Sequence, residues 1–328
     1  MIFHVGTAAG FFAEYTAMLN AMIYCLEHRI QFRLYADDAN FGYHKGWNDY
    51  FESFCPEVHD KFHHKYNSLA LPTFKRIFKY NKGGKLFNVL KWKFKATCQQ
   101  KVGSMITFLK YRKRILLSHH VVFKKADHYT IPELGINGDY LQALRCMVDI
   151  TWRMNDVVKA EIKELIENQN LPEEYIGCQI RGGDKITETQ LVSPSYYIQL
   201  IKGQTTKDVF VLTDDYSIFQ QARIEAPDFK WHTLCGPQEK GYVNSSFTSM
   251  NKDLKRQQML RFLTSVEILR NARLFIGSIT TGPSFFLLKM LYPHAVAVDF
   301  DINKLPQISC LPINERSELA EAYMKQRK

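Results

Sequence analysis

The chain has 328 residues, of which 46% are hydrophobic and 13% aromatic, a composition typical of globular proteins and not of disordered ones. Its length suffices for two domains of ordinary size. No stretch approaches the roughly 20 uninterrupted apolar residues that a membrane-spanning helix requires, and the first residues lack a basic segment followed by an apolar run. We therefore expect a cytoplasmic protein without a signal peptide.

The net charge of +10 is unevenly distributed along the chain. Residues 61–126, the basic segment, contain 17 Lys and Arg and no Asp or Glu, so the rest of the chain is acidic overall. Aromatic residues alternate with the basic ones there, a combination that suits an anionic membrane surface or nucleic acid. A solvated insertion whose aromatic residues pack on the domain is an equally good interpretation. Of the two binding interpretations we favour peripheral membrane contact and expect no nucleic acid.

The seven cysteines are scattered and form no Cys-x-x-Cys pair, which argues against a disulfide framework and against a zinc site. Two pairs of adjacent histidines, His63-His64 and His119-His120, point to different sides of either regular structure. We therefore expect neither pair to bind a metal.

The first residues predict a βαβ unit. Residues 2–5 read as a strand, 11–28 as a helix and 30–35 as a second strand, with a loop between Gly6 and Gly10. These glycines lie at a strand-to-helix turn, where small residues let a ligand approach the backbone. The spacing is not Gly-x-Gly-x-x-Gly, so it does not by itself indicate a dinucleotide site.

From residue 151 to 300, short apolar runs alternate with amphipathic stretches, which predicts a doubly wound parallel sheet. Polar residues follow three of its predicted strands, at 181–185, 213–215 and 278–282. Taken singly, such residues are more often solvated turns than ligand contacts. Because ligands bind beyond the carboxyl ends of the strands in these sheets, we expect the three groups to line one crevice.

The last of these strand ends enters a predicted helix through Thr280-Thr281-Gly282-Pro283. The amides and the dipole of a helix N-terminus bind phosphate, and proline suits the first turn. Arg181 could clamp the same group through two parallel hydrogen bonds. An Asp at a neighbouring strand end commonly receives a ribose hydroxyl. Together these residues predict a nucleotide diphosphate site.

The same residues resemble a known family. Residues 176–188, Ile-Gly-Cys-Gln-Ile-Arg-Gly-Gly-Asp-Lys-Ile-Thr-Glu, resemble the His-x-Arg-Arg-x-Asp-Lys motif of the α1,6-fucosyltransferases of glycosyltransferase family 23, which are related to the α1,2-fucosyltransferases. Residues 209–215 resemble the second motif of that family, a strand ending in Thr-Asp-Asp, and 262–289 are similar to the third. The resemblance spans about residues 174–300.

The resemblance implies an α/β fold of the GT-B type, with two Rossmann-like domains whose parallel sheets face a cleft. Residues 1–150 would form the acceptor-side domain and carry the basic segment as an insertion. Residues 151–300 would bind the nucleotide sugar. The tail, 301–328, could cross back onto the first domain.

The resemblance also implies roles for individual residues. Arg181 would hold the donor β-phosphate and stabilise it as it leaves. Lys185 and Glu188 would lie beside the acceptor hydroxyl, with Glu188 as the general base if one residue is deleted relative to the family. The other donor-binding residues would be Gln179, Asp184, Asp214, Asp215, Ser265, Ser278, Thr280, Thr281 and Gly282.

Three positions depart from the family. The family's His is Gln179 here, its second Arg is Gly182, and Ser265 stands near the Asp that reads guanine, with Glu267 two positions on. A glutamine can still pair with a purine edge, but these departures leave the identity of the donor base open.

The resemblance therefore implies an inverting glycosyltransferase that needs no metal and no cofactor. GDP-fucose would be the donor and a glycan hydroxyl the acceptor; in a bacterium we would expect a lipid-linked precursor of a surface polysaccharide. Two alternatives stay open, a glycosyltransferase for another nucleotide sugar and a non-catalytic protein that binds nucleotide or nucleic acid. Lys185 and Glu188 distinguish them, because a binding module has no need of either.

Overall fold

The structure, a computed structural model, describes residues 1–6, 9–61, 63–64, 115–117, 126, 128–182 and 192–326, together with isolated positions between 90 and 109. The predicted site residues Asp184, Lys185 and Glu188 lie outside the described residues, as does most of the basic segment.

The N-terminal half contains a three-stranded parallel sheet in the order β2-β1-β3. Its elements are β1 (Ile2–His4), helix α1 (Phe11–Glu27), β2 (Arg33–Tyr35), a 3₁₀ helix (Gly46–Asp49) and β3 (Ile115–Leu117). The first βαβ unit is as predicted. The third strand is an addition, because it lies inside the basic segment, where no strand was predicted.

A hairpin and a helix connect this sheet to the second half of the chain. They are β4 (Tyr129–Ile131), β5 (Ile136–Gly138) and helix α2 (Tyr140–Thr151). The turn of the hairpin ends at Gly135, whose φ of 64° lies in the left-handed region that favours glycine. Helix α2 begins after Asp139, whose carboxylate accepts a hydrogen bond from the Gln142 amide.

The C-terminal half is built on a five-stranded sheet in the order β10-β9-β6-β7-β8 with every pairing parallel. Its strands are β6 (Ile176–Ile180), β7 (Asp208–Thr213), β8 (Lys230–His232), β9 (Leu274–Gly277) and β10 (Ala295–Ala297). Its helices are α3 (Asp156–Glu167), α4 (Pro194–Lys202), α5 (Tyr216–Glu225), α6 (Asn244–Ser249), α7 (Lys252–Arg270), α8 (Gly282–Leu291), α9 (Leu305–Ile308) and α10 (Ile313–Gln326). All five residues of β6 are buried, as expected of a central strand covered on both faces.

The predicted α/β class with two parallel sheets is therefore confirmed, while some element boundaries differ. The apolar pattern predicts a helix over 257–272, but helix α7 begins at Lys252, because Asn251 caps it by accepting a hydrogen bond from the Leu254 amide. The sequence predicts a long polar loop from the strand at 229–234 through residue 252, but helix α6 forms within it. The division into domains near residue 150 stays a prediction.

A cluster of aromatic side chains joins the two halves. The ring of Phe12 on α1 lies 4.6 Å from that of Phe286 on α8, 5.7 Å from Phe262 on α7 and 5.9 Å from Trp152, which follows α2. All four belong to or pack against one continuous hydrophobic core. Among the described residues, none of the helices combines the length and the apolar character needed to cross a membrane.

Candidate active site

The carboxyl ends of β6, β7 and β9 lie at one edge of the C-terminal sheet, because these strands are parallel and β6 is paired with both of the others. Arg181 follows β6, Asp214 follows β7 and Ser278 follows β9. The predicted convergence of three polar strand ends is thus present in the fold.

Asp214 holds Arg181 in place. One carboxylate oxygen of Asp214, Oδ2, lies 2.9 Å from Nη1 of Arg181 and also accepts a hydrogen bond from the Tyr242 amide at 2.7 Å. Its other oxygen accepts a hydrogen bond from the Gly182 amide at 2.7 Å. The Arg181 guanidinium lies 5.1 Å from the centre of the Tyr242 ring, within cation–π range. Asp214 therefore positions Arg181 and ties the loop after β6 to the loop that carries Tyr242.

The glycine that replaces the family's second Arg has a local packing reason. A Cβ atom at Gly182 would come 2.9 Å from Cβ of Asp215, closer than side-chain carbons approach one another. The neighbouring Asp215 caps α5, since its carboxylate accepts hydrogen bonds from the amide and the hydroxyl of Ser217. A contact between Asp215 and the donor stays a prediction.

The hydroxyls of the loop after β9 are engaged within the protein. Oγ of Ser278 donates to Oδ2 of Asp299 at 2.5 Å and lies 2.6 Å from the Thr280 hydroxyl. The Thr281 hydroxyl donates to Oε1 of Gln179 at 2.6 Å. These contacts fix the loop at the start of α8. The first turn of that helix leaves the Gly282 amide without an intrahelical acceptor, which is the arrangement that binds phosphate.

Two buried charged residues, Asp299 and Arg316, hold the 278–282 loop from inside the protein. Asp299 is fully buried and accepts a hydrogen bond from the Ile279 amide at 2.9 Å, and burial raises the pKa of its carboxyl. Arg316 on α10 donates to the Ile279 carbonyl, and its guanidinium lies 3.8 Å from the centre of the Phe285 ring. Burial lowers the pKa of Arg316 to about 10. Neither residue was selected from the sequence, although Asp299 is the last residue of the last predicted strand, 295–299.

Asp299-Phe300-Asp301 is also an Asp-x-Asp sequence, a pattern associated with metal binding in glycosyltransferases. Asp299 accepts hydrogen bonds from the Ser278 hydroxyl and the Ile279 amide, and Asp301 accepts one from the Asn303 amide. In the described part of the chain no group of three or more His, Cys, Asp or Glu side chains is arranged to hold a metal ion.

The N-terminal half reaches this edge through its own loops. Nδ2 of Asn40 donates to the Ala9 carbonyl at 3.3 Å and to Oδ1 of Asn244 at 3.4 Å. That oxygen of Asn244 also accepts a hydrogen bond from the Tyr242 hydroxyl at 2.9 Å. Because the Tyr242 ring lies over Arg181, the two halves of the chain meet beside the predicted catalytic arginine.

The two N-terminal glycines have different surroundings. The Gly6 amide donates to Oε2 of Glu14 at 2.7 Å, and a Cβ atom at Gly6 would come 2.3 Å from the other carboxylate oxygen of Glu14. Close approach of Glu14 therefore explains Gly6 without a ligand. Gly10 precedes α1, and a Cβ atom there would meet no atom of the described residues within 4 Å.

The position near which the family reads guanine is occupied differently here. The Ser265 hydroxyl donates to the Arg261 carbonyl within α7 at 2.8 Å, and Ser265 is buried. Glu267 accepts a hydrogen bond from the indole of Trp152 and pairs with Arg270 at 3.1 Å. The identity of the donor base therefore stays a prediction.

A cavity of about 340 Å³ lies away from this edge, against α2. Its lining includes Asp139, Arg145, Asp149 and Tyr292. The Arg145 guanidinium donates hydrogen bonds to the Lys289 and Tyr292 carbonyls, so it caps the C-terminal end of α8.

No protein-family model and no curated protein matches the chain. Solved structures do match. The crystal structure of NodZ alpha-1,6-fucosyltransferase soaked with GDP-fucose shares 12% identity over 88% of this chain and 92% of that chain, with a TM-score of 0.51. The Se-Met form of fucosyltransferase NodZ from Bradyrhizobium shares 12% identity over 87% of this chain and 90% of that chain, with a TM-score of 0.50. The crystal structure of POFUT1 in complex with GDP-fucose shares 11% identity over 90% of this chain and 96% of that chain, with a TM-score of 0.47.

At these identities the likeness concerns the fold. The chain has the GT-B-like α/β fold that the NodZ structures also have, and the likeness extends over most of both chains. The resemblance to fucosyltransferases that the motifs indicated over residues 174–300 is thereby confirmed at the level of the fold, including the N-terminal half that the motifs did not cover.

Proposed function

We propose that the protein is an inverting glycosyltransferase that transfers L-fucose from GDP-fucose to a hydroxyl group of a glycan. The observation that carries the proposal is the Arg181–Asp214 pair at the sheet edge where α8 also begins. A guanidinium fixed by a carboxylate, next to a helix N-terminus, suits a diphosphate. The fold is similar to that of NodZ, a structure soaked with GDP-fucose.

The chemistry follows from the charge that develops during transfer. The acceptor oxygen forms a bond to the anomeric carbon of the donor while the bond from that carbon to the diphosphate breaks, and the electron pair stays on the phosphate oxygen. Arg181 and the amides at the start of α8 would stabilise this negative charge. Glu188, the residue that the resemblance assigns as base, would take the proton of the acceptor hydroxyl, with Lys185 beside it. Asp184, Gln179 and the loop residues 278–282 complete the proposed donor site.

A donor panel tests the proposal. Purified protein is incubated with GDP-fucose, GDP-mannose and UDP-sugars, with and without a mixture of glycan acceptors, and the released nucleotide is measured. We expect GDP release from GDP-fucose that increases with acceptor. Turnover of a different donor would favour another nucleotide sugar. Binding without turnover of any donor would favour a non-catalytic nucleotide-binding protein.

Glu188→Gln separates an enzyme from a binding module more sharply. A neutral amide cannot take a proton from the acceptor, so we expect unchanged affinity for GDP and turnover lower by roughly 10²- to 10⁴-fold. Glu173→Gln, at an exposed carboxylate before β6, is the matched control and should retain full turnover. Near-normal activity of Glu188→Gln would contradict the assignment of the base.

We also propose that the basic segment holds the enzyme on an anionic membrane surface, where a lipid-linked acceptor would be found. Each basic residue near such a surface contributes on the order of 1 kcal/mol, so a third of the 17 would suffice. In sedimentation with liposomes, binding should rise with the content of anionic lipid and fall with salt. Liposome binding that does not depend on the content of anionic lipid would contradict the proposal. Steeply salt-dependent binding to DNA or RNA would favour the nucleic-acid alternative.

A further inference from the structure

The turn that follows β2, residues 36–40, carries two aspartates that each hold a histidine. Oδ1 of Asp37 lies 2.8 Å from Nδ1 of His59, and Oδ1 of Asp38 lies 2.6 Å from Nδ1 of His64. Asp38 also accepts a hydrogen bond from the Tyr35 hydroxyl at 2.8 Å. These residues stand at the carboxyl end of the N-terminal sheet, where ligands bind in parallel α/β sheets. The donor site described above uses none of them.

His64 is oriented so that one ring nitrogen faces outward. A carboxylate only accepts hydrogen bonds, so Nδ1 of His64 carries the proton that is shared with Asp38, and Nε2 of the neutral ring has the lone pair. The Asp38 side chain is 13% exposed and that of His64 is 72% exposed. Within the described part of the chain, Nε2 of His64 makes no hydrogen bond. Nε2 of the neutral His64 ring is therefore a hydrogen-bond acceptor whose position is fixed by the mostly buried carboxylate of Asp38.

His59 differs in one respect that makes it a matched control. Its Nε2 lies 3.8 Å from Oε2 of Glu57, so both ring nitrogens face carboxylates. The two histidines thus share the same kind of support, but Nε2 of His59 faces a carboxylate, whereas Nε2 of His64 faces none among the described residues.

The same turn reaches the donor site. Asn40, two residues after Asp38, contacts Asn244, whose side chain accepts a hydrogen bond from Tyr242, the residue over Arg181. Oδ1 of Asn40 is buried and, among the described residues, has no hydrogen-bond partner. A buried acceptor without a partner is uncommon, and this one lies in the same turn as Asp37 and Asp38.

We propose that the 36–40 turn with His64 is the acceptor subsite, in which Nε2 of His64 receives a hydrogen bond from a hydroxyl of a saccharide. The inference rests on the proposed function and names the binding site of its second substrate. The surface offers two carboxylates and an imidazole lone pair, all of them acceptors, so it complements a neutral molecule rich in hydroxyl donors and repels phosphates and other anions. Zinc is the rival ligand for such a histidine.

Nitrogen NMR of the full-length protein tests the subsite directly. Protein labelled with ¹⁵N-histidine and saturated with GDP is titrated with the methyl glycosides of galactose, glucose, mannose and N-acetylglucosamine, and in a separate sample with zinc chloride alone. His64→Gln and His59→Gln assign the two rings. We expect at least one glycoside to shift the Nε2 resonance of His64 and to leave that of His59 in place.

The same two variants supply the affinity readout. Losing one hydrogen bond should weaken the binding of the responding glycoside roughly 3- to 10-fold in His64→Gln and leave it unchanged in His59→Gln. The subsite is wrong if no glycoside moves His64, or if zinc moves it and no glycoside does. GDP affinity, measured by calorimetry on the same samples, reports separately on the donor site, so failure of the subsite and failure of the proposed function are distinguishable.

Discussion

At the scale of single residues, the site depends on Asp214 more than on any residue that contacts it. Its carboxylate accepts hydrogen bonds from the Gly182 and Tyr242 amides and pairs with Arg181, so one side chain fixes two loops and the guanidinium together. The planar guanidinium carries five N–H donors, and Asp214 orients it through one of them. This contact gives Arg181 a fixed direction.

Arg181→Lys should therefore fail nearly as badly as Arg181→Ala. An ammonium cannot stay on Asp214 and also make two parallel hydrogen bonds to a phosphate, so we expect turnover to fall by roughly 10²- to 10³-fold in both variants. The measurement is nucleotide released from the donor under saturating acceptor. Arg223→Lys, in the last turn of α5, is the control and should behave as wild type. A lysine variant with more than a tenth of normal turnover would argue against the bidentate contact.

The residues that could be predicted from the sequence are those whose role follows from local pattern. Arg181 and Asp214 were found because each follows an apolar run, and the start of α8 was found because Gly282-Pro283 suits the first turn of a helix. Asp299 and Arg316 were not, since they act on the 278–282 loop through contacts that span 21 and 37 residues of sequence. For the same reason nothing local indicated that the loop hydroxyls would be engaged inside the protein.

At the scale of elements, the alternating strands and helices of the C-terminal half were predicted well, whereas β3, α2 and α6 were not predicted. The sequence pattern predicts helices over 11–28, 156–168, 216–225 and 283–291, and α1, α3, α5 and α8 begin and end within two residues of these bounds. Strand β3 has three residues in a segment dominated by positive charge, so its pattern was too short to stand out. Helix α2 does carry apolar residues at helical spacing, among them Leu141, Leu144 and Val148, and could have been predicted.

Helix α8 contains an unusual residue in its last turn. Lys289 is 1% exposed, and its ammonium lies 4.7 Å from the centre of the Phe285 ring and 6.0 Å from that of Tyr140. Burial, followed by the nearby charge of Arg316, lowers the pKa of Lys289 from 10.5 to about 7. The unfolded chain therefore binds a proton between these two pH values that the folded chain does not bind.

Lys289→Met should stabilise the protein at pH 7. Methionine fills a similar volume without a charge to desolvate, and we expect the free energy of unfolding to rise by roughly 1–4 kcal/mol. The gain should shrink towards pH 10, because the wild-type protein becomes more stable as the unfolded lysine loses its proton. Denaturant unfolding at pH 7 and pH 9.5 measures both effects.

Lys163→Met, at a lysine on α3 whose side chain is 77% exposed, is the control and should leave stability unchanged. A Lys289→Met variant no more stable than wild type at pH 7 would show that the buried ammonium contributes more through its ring contacts than its burial costs.

At the scale of the whole molecule, stability should fall in mild acid because of His4. This fully buried histidine at the end of β1 lies with Nε2 3.0 Å from Nδ1 of His63, and the Tyr35 ring packs on it at 4.9 Å. Burial, followed by the neighbouring His63, lowers the pKa of His4 from 6.5 to about 3. Between pH 6.5 and about 3, His4 therefore binds a proton in the unfolded chain but not in the folded chain.

We expect the contribution of His4 to be constant above pH 6.5 and to cost about 1.4 kcal/mol of stability for each pH unit between 6.5 and 3. Thermal unfolding at pH 7.5, 6.0 and 5.0 measures the slope. His4→Asn should flatten this dependence whatever its effect at pH 7.5, whereas His28→Gln, at an exposed histidine, should not. A slope unchanged by His4→Asn would assign the acid sensitivity to other groups.

The aromatic cluster around Phe12 has a consequence for how the chain comes apart. Its rings come from α1 on one side and from α7 and α8 on the other, so neither half can open without exposing the apolar surface of its neighbour. Heating should therefore give one calorimetric peak whose measured enthalpy equals the van't Hoff enthalpy. Phe12→Ala should make the van't Hoff enthalpy smaller than the measured enthalpy or resolve two peaks. A separately expressed 151–328 fragment should aggregate, because it would expose apolar surface that the two halves of the chain share.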